Sequence, residues 1–297
     1  MSIRFREMLT AAAALATLAL AAPVQAERVG NYHVMPTPEY KALTGRDGEA
    51  AAAGKMNYYG GSVFGNVKLL TVIWGGTVNP TTVAGIPDFS TALVNSTYVD
   101  QMSQYHTFRK AVGGGKGTKQ LIKRGSYLGQ VQITPANTGT DLQDADVQVE
   151  LAHQISIGAL PPQDKDTLYM VFFPLNVSIT LDGIKSCRDF GAYHFAVNDT
   201  QPDPNNLFYA VEPDCGYSFS TITYIASHEF AEAVTDNIPT PGSNPAFPQA
   251  WNDSAGYEIG DKCSGSGTLV AGSKSWTVTQ VYSNKKSGCS TGNYTSP

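Results

Sequence analysis

Charge is scarce in this chain. Asp, Glu, Lys and Arg make up 15% of 297 residues, and the formal net charge is −5. A mildly acidic, lightly charged protein lacks the basic face that a nucleic-acid partner requires. Long apolar runs are missing beyond residue 22, so no segment of the mature chain reaches the roughly 18 residues of a membrane span. There are only four cysteines, none in C-x-x-C spacing, which argues against a thiolate metal site or a redox motif. No Gly-x-Ser-x-Gly is present, which argues against a serine hydrolase. The basic segment from Arg109 to Arg124 holds Gly113-Gly114-Gly115, but Lys116 is followed by Gly117 rather than Ser or Thr. It reads as a solvated loop and not as a phosphate cradle. There are no internal repeats and no composition break that demands a second domain.

Arg4 and Arg6 precede an Ala/Leu-rich run from Met8 to Ala22, and Val24-Gln25-Ala26 is a small-x-small cleavage site. Residues 1–26 therefore read as a bacterial-type signal peptide. The expected mature protein starts at Glu27 and is secreted to the periplasm or medium. Removing Arg4, Arg6 and Glu7 takes away one net positive charge, leaving −6 on 271 residues. Export to an oxidising compartment fits two disulfides. Of three connectivities, Cys187–Cys215 with Cys263–Cys289 closes two loops of similar size in the same half of the chain.

Residues 27–57 are rich in Pro, Gly and Ala and read as an extended N-terminal segment, a candidate propeptide. Residues 58–297 form the expected domain. Val67–Trp74 is a nearly continuous apolar run, the mark of a central strand. Helical segments are expected over 81–104, with a break near Asn95-Ser96. A helix is expected from a Thr140 cap with Gln143 completing a capping box, running to about Ile157 with Val147, Leu151 and Ile155 on one stripe. Strands are expected at Tyr127–Ile133, Thr167–Phe173, Val177–Thr180, within Cys187–Val197, and at Leu207–Val211. A helix then covers about Thr221–Asp236, and Thr268–Tyr282 closes the chain as a hairpin.

The richest stretch is Ser227-His228-Glu229-Phe230-Ala231-Glu232-Ala233-Val234-Thr235-Asp236. On a helix His228 and Glu232 share one face, with Glu229 about 100° round the cylinder. That is the layout of H-E-x-x-H, in which residues four apart bind a metal and the intervening Glu is a general base. Here a Glu replaces the second His. Burying such groups beside Ile222, Ile225, Phe230 and Val234 is costly unless they are paired or coordinated.

The stretch resembles the site helix of thermolysin-type zincins, matching at His228, Glu229, Ala233, Val234, Thr235 and Asp236. The resemblance implies an α+β fold, a single zincin-like mixed sheet with an active-site helix. It also implies a downstream third ligand, for which Glu258 is the candidate, with Asp261 as support or alternative. The implied ligand set is His228, Glu232 and Glu258 around a divalent ion. Zinc is favoured, although two carboxylates also suit calcium or manganese. Glu229 is the implied general base.

Several blocks together resemble the plant Exordium or phosphate-induced family and its bacterial relatives. They are Tyr58-Tyr59-Gly60-Gly61, Ser186-Cys187 with Gly191 and His194, Ser227 to Glu232, Ala250-Trp251, and Glu258-Ile259-Gly260-Asp261-Lys262-Cys263. This resemblance implies a secreted, extracellular protein and leaves its chemistry open. It draws in His194 as a ligand, an oxyanion stabiliser or a structural residue, with Tyr193 a weaker candidate for the same role. Two functions compete. One is a metallopeptidase acting on protein or peptide. The other is a non-catalytic binding or signalling protein, cell-wall glycan among its candidate partners, with a structural ion.

Overall fold

The structure, a computed structural model, describes residues 28–29, 32–37, 54–198, 203, 205–241, 244–290 and 292–297. The expected signal peptide and most of the candidate propeptide lie outside the described residues.

The architecture is α+β, built on a six-stranded mixed sheet. Its strands are β1 (Met35–Pro36), β2 (Asn66–Trp74), β3 (Lys123–Ile133), β4 (Thr167–Phe173), β5 (Phe190–Ala196) and β6 (Phe208–Pro213). They lie in the order β1-β5-β6-β4-β2-β3. Strands β6, β4, β2 and β3 run parallel, whereas β5 is antiparallel to both β6 and β1. The central strands are buried on both faces, which is why β2 and β4 read as unbroken apolar runs. Their alternation still sorts side chains cleanly. Val67, Leu69 and Ile73 of β2, with Leu168, Met170 and Phe172 of β4, belong to one core. Leu70, Val72 and Trp74, with Tyr169, Val171 and Phe173, belong to the other.

Helices α1 (Pro80–Val94) and α4 (Phe219–Thr235) cover the first face, and α3 (Asp144–Ser156) covers the second. Asn79 caps α1, its side chain accepting from the Thr81 amide at 2.9 Å, and Pro80 needs no partner at the first position. The expected break follows at Asn95-Ser96, after which α2 (Thr97–Asp100) and a 3₁₀ turn (Gln101–Tyr105) continue.

The expected start of α3 is corrected. Asp141–Gln143 pairs in parallel with Ser178–Leu181, burying Leu142 between them, so the helix begins only at Asp144. The reciprocal bond is that of the Gln143 amide to the Asp146 carboxylate, 2.7 Å; Thr140 lies upstream in the loop. The stripe itself is as expected, with Val147 and Leu151 buried and Ile155 packed against them. In the N-terminal segment, expected to be extended, the Met35–Pro36 stretch is an edge strand of the sheet.

The C-terminal hairpin forms as β7 (Ser266–Ala271) and β8 (Lys274–Thr279), with β9 (Tyr294–Ser296) parallel to β7. It closes over α4: Thr223 Oγ1 donates to the Thr277 carbonyl and the Thr279 amide donates to Ser227 Oγ, both at 2.8 Å. Both disulfides pair as expected, Cys187–Cys215 and Cys263–Cys289, with separations of 28 and 26 residues. Loops of this size stabilise by about 2–4 kcal/mol each, chiefly by restricting the unfolded chain. Among the described residues no helix is long and apolar enough to cross a membrane.

Candidate metal centre

The centre lies where α4 crosses the sheet. Ser218 starts the helix, its hydroxyl accepting from the Thr221 amide at 3.3 Å. Sandwiched between sheet and hairpin, α4 is buried continuously from Ile225 to Thr235. Hence the polar residues of the H-E-x-x-E stretch are buried as well, with His228, Glu229 and Glu232 exposed by only 4, 1 and 2%. From the sheet, β5 contributes His194. Its neighbours Tyr193 and Phe195 face the opposite core, so pleating turns His194 towards α4. Tyr193 instead donates to Asp144 Oδ1 at 2.6 Å, as Tyr209 does at 2.7 Å. It is a structural tyrosine on the far side of the sheet.

The third contributor is the loop after Trp251–Asn252, a short strand paired with Asn57–Tyr58. This pairing explains the Tyr-Tyr-Gly-Gly block, since a Cβ on Gly61 would lie 1.8 Å from the Pro248 carbonyl. The loop is pinned from within. Lys262 Nζ meets Asp253 Oδ2 at 2.6 Å with both side chains buried. Asp253 Oδ1 also accepts from the Ala255 and Tyr257 amides. Glu258 and Asp261 are thereby held over α4. Gly260 touches the helix so closely that a Cβ would sit 2.7 Å from His228 Nδ1 and 2.8 Å from Glu232 Oε1.

Six residues named from the sequence thus converge: His194, His228, Glu229, Glu232, Glu258 and Asp261. The candidate ligands among them fall into two compact groups. His194, Glu232 and Glu258 form one group of candidate ligands, and His228, Glu232 and Asp261 form another, with the ligand atoms of each group within 4.8 Å of one another. Glu232 belongs to both. His228 Nε2 is 3.1 Å from Glu232 Oε1 and 3.6 Å from Asp261 Oδ1. His194 Nε2 is 3.6 Å from Glu258 Oε1, and Nδ1 is 4.0 Å from Glu232 Oε2 and 3.3 Å from Glu229 Oε2. Nε2 also lies 3.0 Å from the Asp236 carbonyl, which can only accept. The proton therefore belongs on Nε2, and Nδ1 is left to face the carboxylates. A backbone carbonyl fixing one ring nitrogen while the other meets a cation is a common histidine arrangement at metal sites.

Two acids join that sequence reasoning did not assign to the site. Glu212 on β6 is 3% exposed and sits in the field of Glu229 and His228. Its signal was a Glu in the otherwise apolar strand Phe-Tyr-Ala-Val-Glu-Pro. Asp236 ends α4, fully buried, accepting from the Ala250 amide at 2.8 Å and from Asn252 Nδ2.

Six carboxyl groups and two imidazoles therefore share one buried region. Even with both imidazoles protonated, full ionisation would leave four uncompensated negative charges, which a protein interior does not tolerate. Burial first, then the neighbouring carboxylates, pushes Glu258 and Glu212 well above the usual carboxylate range. Burial, then Asp261, raises Glu232, and burial also lifts Asp236 despite its hydrogen bonds. For His228, burial works against the charged ring, but Glu232, Asp261 and Glu229 outweigh it and raise the imidazole well above its ordinary value.

The pH dependence of the metal-free protein follows. Carboxyls and imidazole alike hold protons more tightly folded than unfolded. Stability is then greatest in mild acid and falls as pH rises from the ordinary carboxylate range through the raised values. Chelator-treated protein is expected to melt at a lower temperature at about pH 8 than at about pH 5 in scanning calorimetry. Metal-loaded protein should show the reverse slope, because ligands must deprotonate to bind. Parallel slopes with and without chelator would contradict this electrostatic account.

The donor set fits a divalent ion: imidazole nitrogens with several carboxylates suit zinc or manganese. No family model, curated protein or solved structure matches the chain, so its chemistry is read from this centre alone.

Proposed function

We propose that the protein is a secreted, zincin-like metal-dependent hydrolase, a metallopeptidase acting on protein or peptide. Membership of the Exordium family is part of this proposal and rests on the motif blocks. The observation that carries the reading is the convergence of His194, Glu232 and Glu258 beside Glu229, all buried and from three separate chain segments. His194, Glu232 and Glu258 are the residues that would hold the ion. When bound, a divalent ion there supplies Lewis-acid polarisation of a carbonyl and of water. Glu229 supplies the base. It belongs to neither ligand group, and Oε2 lies 3.3 Å from His194 Nδ1. A carboxylate so placed accepts a proton from attacking water and returns it to the leaving amine. His194, its Nε2–H tethered to the Asp236 carbonyl, turns Nδ1 toward the ion site beside that carboxylate.

One observation favours the second reading, a non-catalytic extracellular protein with a structural ion. Glu229 is 1% exposed and Glu258 is fully buried, as expected of a cation that braces the fold. Against the glycan-binding form of that reading, Trp74, Trp251 and Trp276 are all buried and withheld from stacking on sugar.

The two readings part on one assay. The exported protein, incubated with casein and a mixed peptide panel, is expected to hydrolyse a member of the panel. Chelator should abolish the activity and added zinc or manganese should restore it. Absence of chelator-sensitive cleavage across the panel would favour the structural-ion reading.

A further inference from the structure

The hydrolase reading uses one ligand group, His194, Glu232 and Glu258. The other, His228, Glu232 and Asp261, is equally compact. It also contains a buried imidazole whose nitrogens are poorly met. His228 is 4% exposed; its Nδ1 meets no hydrogen-bond partner, and its Nε2 faces only the carboxylates of Glu232 and Asp261. The 3.1 Å approach of Nε2 to Glu232 Oε1 has hydrogen-bond length without hydrogen-bond direction. A buried imidazole left in that state carries an uncompensated desolvation cost unless something else meets its nitrogens.

Glu232 links the two groups through different oxygens. Oε1 faces His228 at 3.1 Å and accepts from the Asp261 amide at 3.0 Å; Oε2 faces His194 Nδ1 at 4.0 Å. Metal–ligand bonds of about 2.0–2.2 Å put neighbouring donors about 3–3.6 Å apart, so the 3.1–4.0 Å spacings fit after small adjustment. Gly260 fits as well: its absent side chain leaves the space beside His228 and Glu232 that a Cβ would fill. Asp261 is positioned in turn, its Oδ2 accepting from the Glu258 amide at 3.1 Å while Oδ1 points at His228.

We propose that the centre binds two divalent transition-metal ions, one in each ligand group, with Glu232 as the carboxylate bridge between them. This inference rests on the hydrolase reading for the first ion and adds the second. It gives the Glu in place of the second His a reason. A carboxylate has two oxygens to offer, where an imidazole at that helical position would present only one nitrogen to the pair. Two ions also offset four of the six negative charges that the carboxyls can bring to the interior. In two-metal sites the ions sit about 3.5–4 Å apart and clamp both sides of a displacement reaction.

The test uses mature full-length protein, stripped with chelator and titrated with Mn²⁺. Bound metal is counted by elemental analysis after dialysis, and electron paramagnetic resonance reports coupling. The wild type is expected to bind two Mn²⁺ per chain with an exchange-coupled signal. His228→Ala and, more gently, Asp261→Asn should each bind one ion with an uncoupled signal, as should His194→Ala. Wild-type stoichiometry decides the matter even if a variant fails to fold. One Mn²⁺ per chain with an uncoupled signal overturns the pair and leaves the hydrolase reading standing. No Mn²⁺ bound, and no Zn²⁺ taken up in a parallel titration, overturns both.

Discussion

Glu229→Gln is expected to lower hydrolysis about 10²–10⁴-fold, the usual worth of a positioned general base, with bound metal unchanged. The amide keeps the size of the side chain and its place beside His194 Nδ1, 3.3 Å away. It cannot take a proton. Since Glu229 lies in neither ligand group, its loss should leave the ion in place. Glu232→Gln differs in kind. Glu232 belongs to both groups, so metal is lost first and activity as a consequence. Turnover of a peptide substrate, measured beside metal content and a thermal melt, separates the two variants. Full activity in Glu229→Gln would make Glu229 a structural residue and sink the mechanism.

The largest expected stability effect lies just outside the centre. Lys262→Met should destabilise by about 3–5 kcal/mol, because breaking a buried pair leaves its partner charge uncompensated. Lys262 and Asp253 are both buried, 2.6 Å apart, and the ammonium lies 4.8 Å from the centre of the Tyr282 ring. The melting temperature should fall by roughly 6–20 °C at the ordinary sensitivity of a chain this size. Lys262→Met combined with Asp253→Asn should recover much of the loss. Asn keeps an oxygen for the Ala255 and Tyr257 amides, which now donate to Asp253 Oδ1 at 2.8 and 3.0 Å, while shedding the charge. The same pair holds the Glu258–Asp261 loop, so metal affinity should fall with stability in the single variant and return in the double. A melt unchanged by Lys262→Met would show the pair to be idle.

What the sequence disclosed, it disclosed through local physics. The β2 run Val67–Trp74, the α4 pattern and the break at Asn95-Ser96 depend on residues near one another in the chain. The disulfides were legible because their loop lengths separate plausible from implausible pairings. The choice between Glu258 and Asp261 as the partner of His228 is not legible in the sequence. It depends on how the 250–263 loop is folded by Lys262–Asp253, by the Trp251–Tyr58 pairing and by the contact of Gly260 with the helix. These long-range contacts set Asp261 against His228 and Glu258 against His194. Glu212 enters through the alignment of β6 beside β5, where His194 pairs with Ala210. The α3 cap was misplaced for a similar reason, since the pairing of Asp141–Gln143 with Ser178–Leu181 outweighed Thr140 as a local helix start.

The central claim is that the buried acids around α4 exist to hold divalent metal. Elemental analysis of the full-length protein, purified without chelator, tests it most directly. At least one zinc or manganese ion per chain is expected, lost in Glu232→Ala and regained by the wild type after stripping and reloading. A well-folded wild type that carries far less than one ion per chain, and takes up none on reloading, would contradict it.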